Sequence, residues 1–214
     1  MDNRQLEELR RDYSSHSLLE TSVASDPFAQ FSTWMDETIK SEVIDANAMT
    51  VSTVDEMGRP SSRIVLLKGF DHNGFIFFTN YNSNKAADLE ANPNIVMHFF
   101  WPDLQRQTMI TGMAAKTTRE VSEAYFATRP VESKIGAWAS EQSSVLTSRK
   151  ELESRVAETQ KRFAGQPIPC PPFWGGFCVT PRLFEFWQGG ANRLHDRICY
   201  TLDGTEWKIS RLSP

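Results

Sequence analysis

The sequence lacks the features that mark several common classes of protein. Its three cysteines, Cys170, Cys178 and Cys199, are odd in number and lack metal-ligand spacing, so neither a disulfide framework nor a zinc site is expected. No apolar run approaches the roughly 18 residues of a membrane helix, and the polar start is unlike a signal peptide. We therefore expect a reduced, cytoplasmic protein that does not enter a membrane.

An excess of positive charge is also missing. The chain carries 23 Lys and Arg against 27 Asp and Glu, a formal net charge of −4. Such a balance gives no general attraction to nucleic acid or to an anionic membrane surface. Any site for an anion must therefore be a local concentration of Arg and Lys.

Motifs for several chemistries are absent. The chain has no G-x-G-x-x-G, P-loop, H-E-x-x-H or G-x-S-x-G sequence, and no evident nucleophile dyad or metal cluster. Of its four histidines, only His195 lies among several charged residues, Arg193, Asp196 and Arg197, whereas His98 lies in an apolar run and is expected to be a satisfied core residue. Difficult chemistry would then have to come from an organic cofactor.

The 214 residues predict a single α+β domain, 1–214, with an antiparallel barrel and peripheral helices. Asp26-Pro27 predicts a helix to about Glu42 that buries Phe28, Phe31, Met35 and Ile39. Gly-containing turns separate β-rich runs and indicate a small closed or nearly closed barrel. We predict strands at 49–54, 63–68, 75–79, 94–101, 107–113, 175–187, 194–201 and 206–212, helices at 83–90, from Thr117 to Pro130 and from Ser148, and a Pro-rich connection at 166–172.

The run Phe186–Arg197 combines aromatic side chains, a Gly-Gly pair, two arginines and a histidine. If Arg193 to Arg197 is extended, side chains alternate between faces, so Arg193, His195 and Arg197 share one face. Three potential cations beside an open backbone would suit an anionic, planar ligand. A solvated edge strand with surface charges is the alternative.

Two further stretches could bind phosphate. Arg63 and Lys68 enclose the apolar run Ile64 to Leu67, which predicts a strand buried on both faces, with Lys68 either holding a phosphate or snorkelling at the strand end. The polar loop from Phe78 to Lys85 leads into a helix whose first N–H groups could hold a second phosphate, or Ser83 could simply cap that helix.

Tyr125, Arg129 and Ser133 are spaced by four residues. This spacing places Tyr125 and Arg129 on one helical face, where a phenol, a guanidinium and a hydroxyl would form a phosphate clamp. Chance spacing of this kind is frequent, so the pattern is weak by itself.

Several motifs together resemble the pyridoxine/pyridoxamine 5′-phosphate oxidase family. The resemblance covers about Leu9 to Pro214, nearly the whole chain, and the motifs follow the family's order. They are Arg63-Ile64-Val65-Leu66-Leu67-Lys68, Gln142-Ser143-Ser144, Pro172-Phe173-Trp174-Gly175-Gly176, Phe186-Trp187-Gln188-Gly189-Gly190, Arg193-Leu194-His195-Asp196-Arg197 and the ending Trp207-Lys208-Ile209 to Arg211-Leu212-Ser213-Pro214.

The resemblance implies an FMN-binding split β-barrel and a homodimer with active sites at the subunit interface. It also implies oxidation of pyridoxine or pyridoxamine 5′-phosphate to pyridoxal 5′-phosphate, with oxygen giving hydrogen peroxide and the amine also releasing ammonia. Another FMN-dependent oxidoreductase and a non-catalytic carrier of FMN or pyridoxal phosphate are the alternatives.

Site residues follow from the same resemblance, position by position. One subunit would contact FMN through Arg63, Ile64, Val65, Leu66, Leu67, Lys68, Phe78, Thr79, Asn84, Lys85 and Gln107, and the other through Gln142, Ser143, Trp187 and Arg197. Lys68, Tyr125, Arg129 and Ser133 would hold the substrate phosphate, and Arg193, Leu194 and His195 would contact the substrate, with Arg193 and His195 catalytic. Residues 1–25 would form a mobile segment whose Arg10 and Tyr13 close over bound substrate.

One position departs from the family pattern. Members often carry Arg immediately before the lysine that matches Lys85, and Asn84 stands there in this chain. The flavin phosphate would lose one charge-assisted contact, worth roughly 1.5–3 kcal/mol if fully desolvated.

Overall fold

The structure is a computed structural model that describes Tyr13 and residues 17–214. Arg10, one of the two residues expected to close over substrate, lies outside the described residues. Numbered along the described chain, the helices are α1 Pro27–Lys40, α2 Asn84–Ala91, α3 Arg119–Thr128, α4 Val131–Ala139 and α5 Arg149–Arg162. The strands are β1 Ala48–Val54, β2 Pro60–Leu66, β3 Gly69–Asp71, β4 Gly74–Asn80, β5 Asn94–Trp101, β6 Arg106–Lys116, β7 Trp174–Gln188, β8 Asp196–Asp203 and β9 Glu206–Arg211.

The strands of the described chain form one sheet in the order β2-β1-β5-β6-β7-β4-β3, with β8 paired to β7 and β9 paired to β8. In the antiparallel pairing of β4 with β7, Phe78 lies opposite Gly176. In the antiparallel pairing of β7 with β8, Trp187 lies opposite Arg197. The predicted α+β class with a dominant antiparallel sheet is therefore confirmed.

Most predicted elements are present, with four differences. The short strand β3 and the helix α4 were not predicted. The helix predicted from Thr117 instead has Thr118 as its N-cap, because the Thr117 N–H still donates to the Gly176 carbonyl as part of the sheet. In α1, Ile39 is 59% exposed and is not part of the buried stripe, where Trp34 and Thr38 lie instead.

Two compact units can be distinguished within the chain. Unit 1 comprises the described residues up to Met49, together with Met97–Thr111 and Arg182–Pro214. Its core is aromatic: α1 places Phe31 5.1 Å from the ring of Phe99, and Trp34 5.1 Å from the ring of Phe186. Asp26 begins the helix, since its carboxylate accepts the N–H groups of the first turn and Pro27 follows at the first helical position.

Unit 2 comprises Thr50–Val96 and Gly112–Pro181. Its core pairs Phe77 with Phe177, whose ring centroids are 5.7 Å apart. A Cβ on Gly176 would lie 2.9 Å from the Phe78 ring, and one on Gly175 would lie 2.3 Å from the Tyr81 hydroxyl. The Gly-Gly pair therefore allows two aromatic side chains to pack directly on the backbone of β7.

Candidate functional site

Unit 2 contains a cleft of about 700 Å³ that we call the cationic cleft. Four of its lining residues are Lys or Arg and none is Asp or Glu. Four positive charges without a lining carboxylate favour an anionic ligand with more than one charged group. The lining residues are Arg63, Ile64, Val65, Leu66, Lys68, Phe78, Thr79, Asn80, Asn84, Lys85, Tyr125, Arg129, Gly136, Ala137, Ser140, Gln142, Ser143 and Trp174.

Lys85 is the most buried cation of the cleft, 6% exposed in the second residue of α2. Its ammonium donates to three neutral oxygens, Thr79 Oγ1 at 2.8 Å, Ser83 Oγ at 3.0 Å and Gln142 Oε1 at 3.2 Å. Burial, followed by the nearby charge of Arg63, lowers the Lys85 pKa to about 8. Because no carboxylate of the described chain compensates the charge, a bound anion would stabilise the protonated form.

Ser83 does not cap α2 with its side chain, contrary to one alternative. The Ser83 hydroxyl donates to the Asn80 carbonyl at 2.7 Å and accepts from Lys85. Asn84 is exposed at the helix start, and its N–H donates to Ser143 Oγ at 3.3 Å. The start of α2 and the Lys85 ammonium therefore face the same cleft, as anion sites at helix starts do.

Arg63 is held on β2 by neutral partners. Its guanidinium donates to Thr53 Oγ1 at 2.7 Å and to Ser61 Oγ at 2.6 Å, while the carboxylate of Asp88 is 3.9 Å away. Burial lowers the Arg63 pKa, and Asp88 partly opposes this effect. The Asp88 carboxylate accepts hydrogen bonds from the hydroxyls of Thr53 and Ser61. Asp88 therefore orients the two hydroxyls that hold Arg63.

The prediction that Ile64 to Leu67 is buried on both faces is wrong. Ile64 is 73% exposed and Leu66 is 40% exposed, and both line the cleft. The reason is the position of β2 at the end of the strand order, which leaves it paired to β1. Leu67 is buried just after the strand, and Lys68 is exposed at the cleft.

Three aromatic rings and one arginine form one wall of the cleft. Phe78 stacks on Tyr125 with ring centroids 4.0 Å apart, and on Trp174 at 5.5 Å. The Arg129 guanidinium carbon lies 4.6 Å from the centre of the Trp174 ring. Arg129 Nη1 is buried without a hydrogen-bond partner, and burial lowers the pKa of this guanidinium. A buried donor without a partner indicates a missing acceptor.

Tyr125 and Arg129 both line the cleft, but Arg129 is the C-cap of α3 and not a residue within the helix. Helix α3 ends at Thr128, and Arg129 has an extended ψ of 148°. Ser133 lies in the next helix, α4, and is not a lining residue. Helix α4 instead contributes Gly136 and Ala137 to the cleft.

Gln142 and Ser143 were expected to approach the flavin from a second subunit, and the structure places them differently. Gln142 Oε1 accepts from Thr79 Oγ1 at 3.1 Å in the same chain, in addition to Lys85. Ser143 has a φ of 75°, a left-handed conformation that costs energy for a residue with a Cβ. Both residues therefore belong to the cleft of their own chain.

Unit 1 holds a second group of predicted residues. The Trp187 and His195 rings are 4.5 Å apart, and Tyr13 approaches both edge-on, at 5.9 Å and 5.8 Å. A Cβ on Gly189 would lie 2.9 Å from the Tyr13 ring, so a larger residue at position 189 would clash with Tyr13. Of the two predicted lid residues, Tyr13 thus contacts predicted site residues, and Arg10 lies outside the described chain.

His195 has one ring nitrogen fixed by the backbone. The Gly190 N–H donates to His195 Nδ1 at 3.1 Å, so Nδ1 is an acceptor and the neutral ring carries its proton on Nε2. Partial burial, followed by the charge of Arg193, lowers the His195 pKa. The ring therefore offers an N–H donor at Nε2 near neutral pH.

The expectation that Arg193 to Arg197 is extended is wrong. Residues Ala191–Arg193 form a 3-10 turn, Arg193 has a φ of 63°, and β8 begins only at Asp196. The alternation of faces therefore does not apply to Arg193 and His195. Leu194, which lies between them, is 70% exposed.

Arg197 and Gln107 already have partners in unit 1. Arg197 Nε donates to Glu185 at 2.8 Å and Nη1 to the Ser213 carbonyl at 2.8 Å, and the Glu185 hydrogen bond raises the Arg197 pKa. Gln107 Oε1 lies 2.9 Å from His98 Nε2, which gives His98 the partner expected of it. Neither residue lines the cationic cleft.

Sequence reasoning missed some residues of these sites. Helix α4 contributes Gly136 and Ala137 to the cleft, and its C-cap contributes Ser140. The sequence signal for this helix is Pro130, followed by Ile135 and Ala139 at a spacing of four. Among the described residues there is no cluster of His, Cys, Asp or Glu that could hold a metal ion. No helix of the described chain is long and apolar enough to span a membrane.

The lining of the cationic cleft can be compared with what a flavin mononucleotide needs from its binding site. Such a ligand needs cations for its phosphate and an apolar or aromatic surface for its ring. The uncompensated Lys85 ammonium and Arg63 meet the first need, and the exposed Ile64 and Leu66 beside the Phe78 wall meet the second. The residues present therefore fit the group.

Comparison with known protein families gives two matches that together cover most of the chain. The family described as "Pyridoxamine 5'-phosphate oxidase" matches residues 35–163. The family described as "Pyridoxine 5'-phosphate oxidase C-terminal dimerisation region" matches residues 174–214.

Curated relatives agree with these matches. The chain is 49% identical to a pyridoxine/pyridoxamine 5'-phosphate oxidase of Rubrobacter xylanophilus, covering 99% of this chain and 97% of that protein. It is 52% identical to the protein of the same name from Bordetella petrii, covering 97% of this chain and 98% of that protein.

Solved structures confirm the predicted split-barrel fold class. PhzG from Burkholderia lata 383, in complex with tetrahydrophenazine-1-carboxylic acid, has a TM-score of 0.88 and 28% identity over 94% of this chain and 100% of that chain. A pyridoxamine 5'-phosphate oxidase-related, FMN binding protein of Nostoc punctiforme has a TM-score of 0.71 at 16% identity, covering 90% and 100%. The second likeness concerns the fold alone.

Proposed function

Because the chain belongs to the pyridoxine/pyridoxamine 5′-phosphate oxidase family of oxidoreductases, we propose that it oxidises pyridoxine 5′-phosphate and pyridoxamine 5′-phosphate to pyridoxal 5′-phosphate. The observation that carries the proposal is the cationic cleft, with four cations and no carboxylate in its lining. A phosphate group carries about two negative charges near neutral pH. The phosphates of a flavin and of a substrate would together balance the four cations.

FMN is the proposed cofactor of the cleft. When bound, it would accept a hydride from C4′ of the substrate and pass two electrons to oxygen. Lys85 and Arg63 would hold its phosphate, with Thr79 and the start of α2 as neutral donors. The remaining contacts proposed for FMN in unit 2 come from Ile64, Val65, Leu66, Leu67, Lys68, Phe78, Asn84, Gln142 and Ser143.

Lys68, Tyr125, Arg129 and Ser133 are proposed to hold the substrate phosphate. Arg129 supports this role because its buried Nη1 has no partner and would donate to a phosphate oxygen. Tyr125 adds a phenol from the neighbouring turn, and Lys68 an exposed ammonium. These contacts would let the enzyme distinguish the phosphorylated vitamers from the free ones.

Arg193 and His195 are proposed as the catalytic residues, with Leu194 beside them in contact with substrate. Arg193 would position the pyridine ring, as alignment of the reacting atoms is the main task left to the protein. His195 would donate from Nε2 to the C4′ oxygen or nitrogen, since its Nδ1 is engaged by Gly190. Tyr13, packed against His195 and Trp187, and Arg10 would cover bound substrate.

The proposed reactions balance with oxygen as the only oxidant. Pyridoxine 5′-phosphate loses a hydride from C4′ and a proton from its hydroxyl, and oxygen becomes hydrogen peroxide. Pyridoxamine 5′-phosphate loses a hydride from C4′ and a proton from its amino nitrogen to give an imine, which water hydrolyses to the aldehyde and ammonia.

We propose that the chain works as a homodimer with active sites at the subunit interface. The match of residues 174–214 to a dimerisation region supports the dimer. Trp187 and Arg197 would reach the flavin site from the second subunit. Arg197 could contact the flavin and stay bonded to Glu185 at the same time, because its Nη2 has no hydrogen-bond partner among the described residues.

The test is anaerobic mixing of the purified, FMN-loaded protein with each vitamer. The yellow absorbance should bleach with both phosphorylated vitamers, and admission of oxygen should restore it with one peroxide per turnover. Unphosphorylated pyridoxine at the same concentration is the matched control and should bleach far more slowly. Yellow protein that never bleaches would favour a carrier.

The structural likeness to PhzG supports a second candidate, an FMN-dependent oxidoreductase that acts on another ring system. That candidate predicts no preference for a phosphorylated substrate. Equal bleaching rates with pyridoxine and pyridoxine 5′-phosphate would support it over our proposal.

A further inference from the structure

Arg211, the last residue of β9, is the centre of a hydrogen-bonded group in unit 1. Its Nε and Nη2 donate to the two carboxylate oxygens of Glu20, at 2.7 Å and 2.8 Å. Its Nη1 donates to Asp196 Oδ1 at 2.6 Å, and Nη2 also donates to the Leu18 carbonyl at 2.8 Å. The guanidinium thus bridges the end of the sheet and the segment that precedes α1.

Asp196 completes this group from the first residue of β8. Its second oxygen, Oδ2, accepts the Leu18 N–H at 2.9 Å. Leu18 is therefore held by both its N–H and its carbonyl, and its side chain is 7% exposed. We call Leu18, Glu20, Asp196 and Arg211 the clasp.

The clasp is made of charge-assisted bonds, which are shorter and stronger than neutral ones. The Arg211 hydrogen bond lowers the Glu20 pKa to about 2, and the two carboxylates raise the Arg211 pKa. Glu20 and Arg211 are therefore both charged in the neutral range. Solvent screens each pair, but three groups, the carboxylates of Glu20 and Asp196 and the Leu18 carbonyl, meet at one guanidinium.

Tyr13 is close to the clasp along the chain. Four residues separate it from Leu18, so the two Cα atoms are at most about 17 Å apart. Tyr13 itself packs on the Trp187–His195 pair and against Gly189. Asp196 follows His195 directly, so one short stretch carries both the ring that Tyr13 contacts and the carboxylate that holds Leu18.

We propose that Asp196 and Arg211 are positioning residues that fix Leu18 and so keep Tyr13 at the Trp187–His195 pair, which lowers the KM for the phosphorylated vitamers. A fixed Leu18 limits the region that Tyr13 can reach, which raises the local concentration of Tyr13 at that pair. This inference rests on the proposed function, since Tyr13 would cover bound substrate there. The clasp itself binds no substrate and takes part in no chemical step.

The first test measures the segment directly, by hydrogen exchange of peptides that cover residues 13–20. Arg211→Gln and Asp196→Asn should both speed exchange at the Leu18 amide relative to the wild type. Lys208→Gln is the matched control, because it removes another ion pair of the same hairpin, Lys208 with Asp203, and should leave this exchange unchanged. Unchanged exchange in Arg211→Gln would overturn the proposal, whatever the activity of the enzyme.

The second test is a kinetic double-mutant cycle on the FMN-loaded enzyme. Arg211→Gln should raise the KM for pyridoxine 5′-phosphate about fivefold, with kcat and FMN affinity close to those of the wild type. In a Tyr13→Ala background the same substitution should have almost no further effect, because both changes remove one function. Equal effects in the two backgrounds would show that Arg211 acts by another route and would overturn the proposal.

The outcomes separate the two levels of inference. A wild type that does not oxidise the phosphorylated vitamers contradicts the proposed function. A wild type that does so, with Arg211→Gln indistinguishable from it in KM, contradicts the clasp alone.

Discussion

The backbone N–H of Gly190 donates to Nδ1 of His195 across 3.1 Å. A Cβ on Gly190 would lie 2.3 Å from the Leu194 carbonyl, so the turn that creates this hydrogen bond depends on glycine. The bond makes the neutral ring an Nε2–H donor and opposes protonation at Nδ1. It therefore assigns His195 a donor role in the proposed reaction and not the role of a base.

We expect His195→Gln to retain more activity than His195→Ala, because the glutamine amide can donate from nearly the same place as Nε2. The alanine variant should lose about a hundredfold in kcat and the glutamine variant about tenfold, in line with the loss of one catalytic hydrogen bond. Steady-state kinetics with pyridoxine 5′-phosphate measures both. Equal losses in the two variants would contradict the donor role.

The pH profile provides a second check on His195. Burial and Arg193 lower its pKa, so the neutral ring predominates above that pKa; as the pH falls through it, Nδ1 gains a proton and loses the Gly190 hydrogen bond that orients the ring, although Nε2 remains a donor. The wild type should therefore lose kcat on the acid side, whereas His195→Gln should lack that limb. An unchanged acid limb in the glutamine variant would assign it to another group.

Lys85 gives the FMN site a predicted dependence on pH. Burial and Arg63 lower its pKa to about 8 in the ligand-free protein, and an anion binds the protonated form. FMN affinity should be greatest below that pH and should fall as the pH rises through it. Lys85→Gln should weaken binding by about 10- to 100-fold, the loss of one charge-assisted bond, and remove most of this pH dependence.

Fluorescence titration of the apoprotein with FMN measures both effects. Lys116→Gln is the matched control, since Lys116 is an exposed lysine of the same unit that pairs with Glu90 at 3.6 Å. It should bind like the wild type at every pH. A wild-type affinity that stays constant between pH 7 and 9.5 would show that Lys85 is not the titrating group.

Local signals predicted much of the fold. Asp26-Pro27 predicted the start of α1, and the aromatic spacing of Phe28 and Phe31 predicted its buried face. These signals work because capping and helical periodicity depend on neighbours in the sequence. Ile39 departs from them because α1 ends one residue later and its last turn is exposed.

Predictions that depended on tertiary position were less reliable. Nothing in Ile64-Val65-Leu66 shows that β2 ends the strand order, and the same letters would suit a fully buried strand. The positive φ of Arg193 depends on the turn that brings Gly190 to His195, so alternation along an extended chain could not describe it. Cleft residues from α4 lacked charge or aromatic character and therefore carried no chemical signal.

Asn84→Arg should tighten FMN binding. Asn84 lines the cleft at the first residue of α2, directly before Lys85. Because the site is exposed, solvent screens part of the gain, and we expect about three- to tenfold tighter binding. Asn84→Gln, which adds length without charge, should leave the affinity unchanged, and apoprotein titration at low and high salt measures both variants.

Arg129→Met should weaken substrate binding without lowering the stability of the ligand-free protein. The Arg129 guanidinium has a buried nitrogen without a partner, and burial lowers its pKa, so in the ligand-free protein the charge is a cost without a compensating anion. Methionine would keep the packing on Trp174 while removing that charge. The ligand-free Tm should therefore stay the same or rise, as for other buried charges replaced by apolar groups.

The same substitution should raise the KM for pyridoxine 5′-phosphate by about a hundredfold, the loss of a bidentate contact to a phosphate. Bleaching by unphosphorylated pyridoxine should change little, because that substrate has no phosphate to bind. Arg119→Met is the control, since Arg119 is an arginine of the same unit that bonds to backbone carbonyls outside the cleft. A fall of the ligand-free Tm in Arg129→Met, with equal kinetic losses for both substrates, would show that Arg129 supports the fold and does not hold the substrate phosphate.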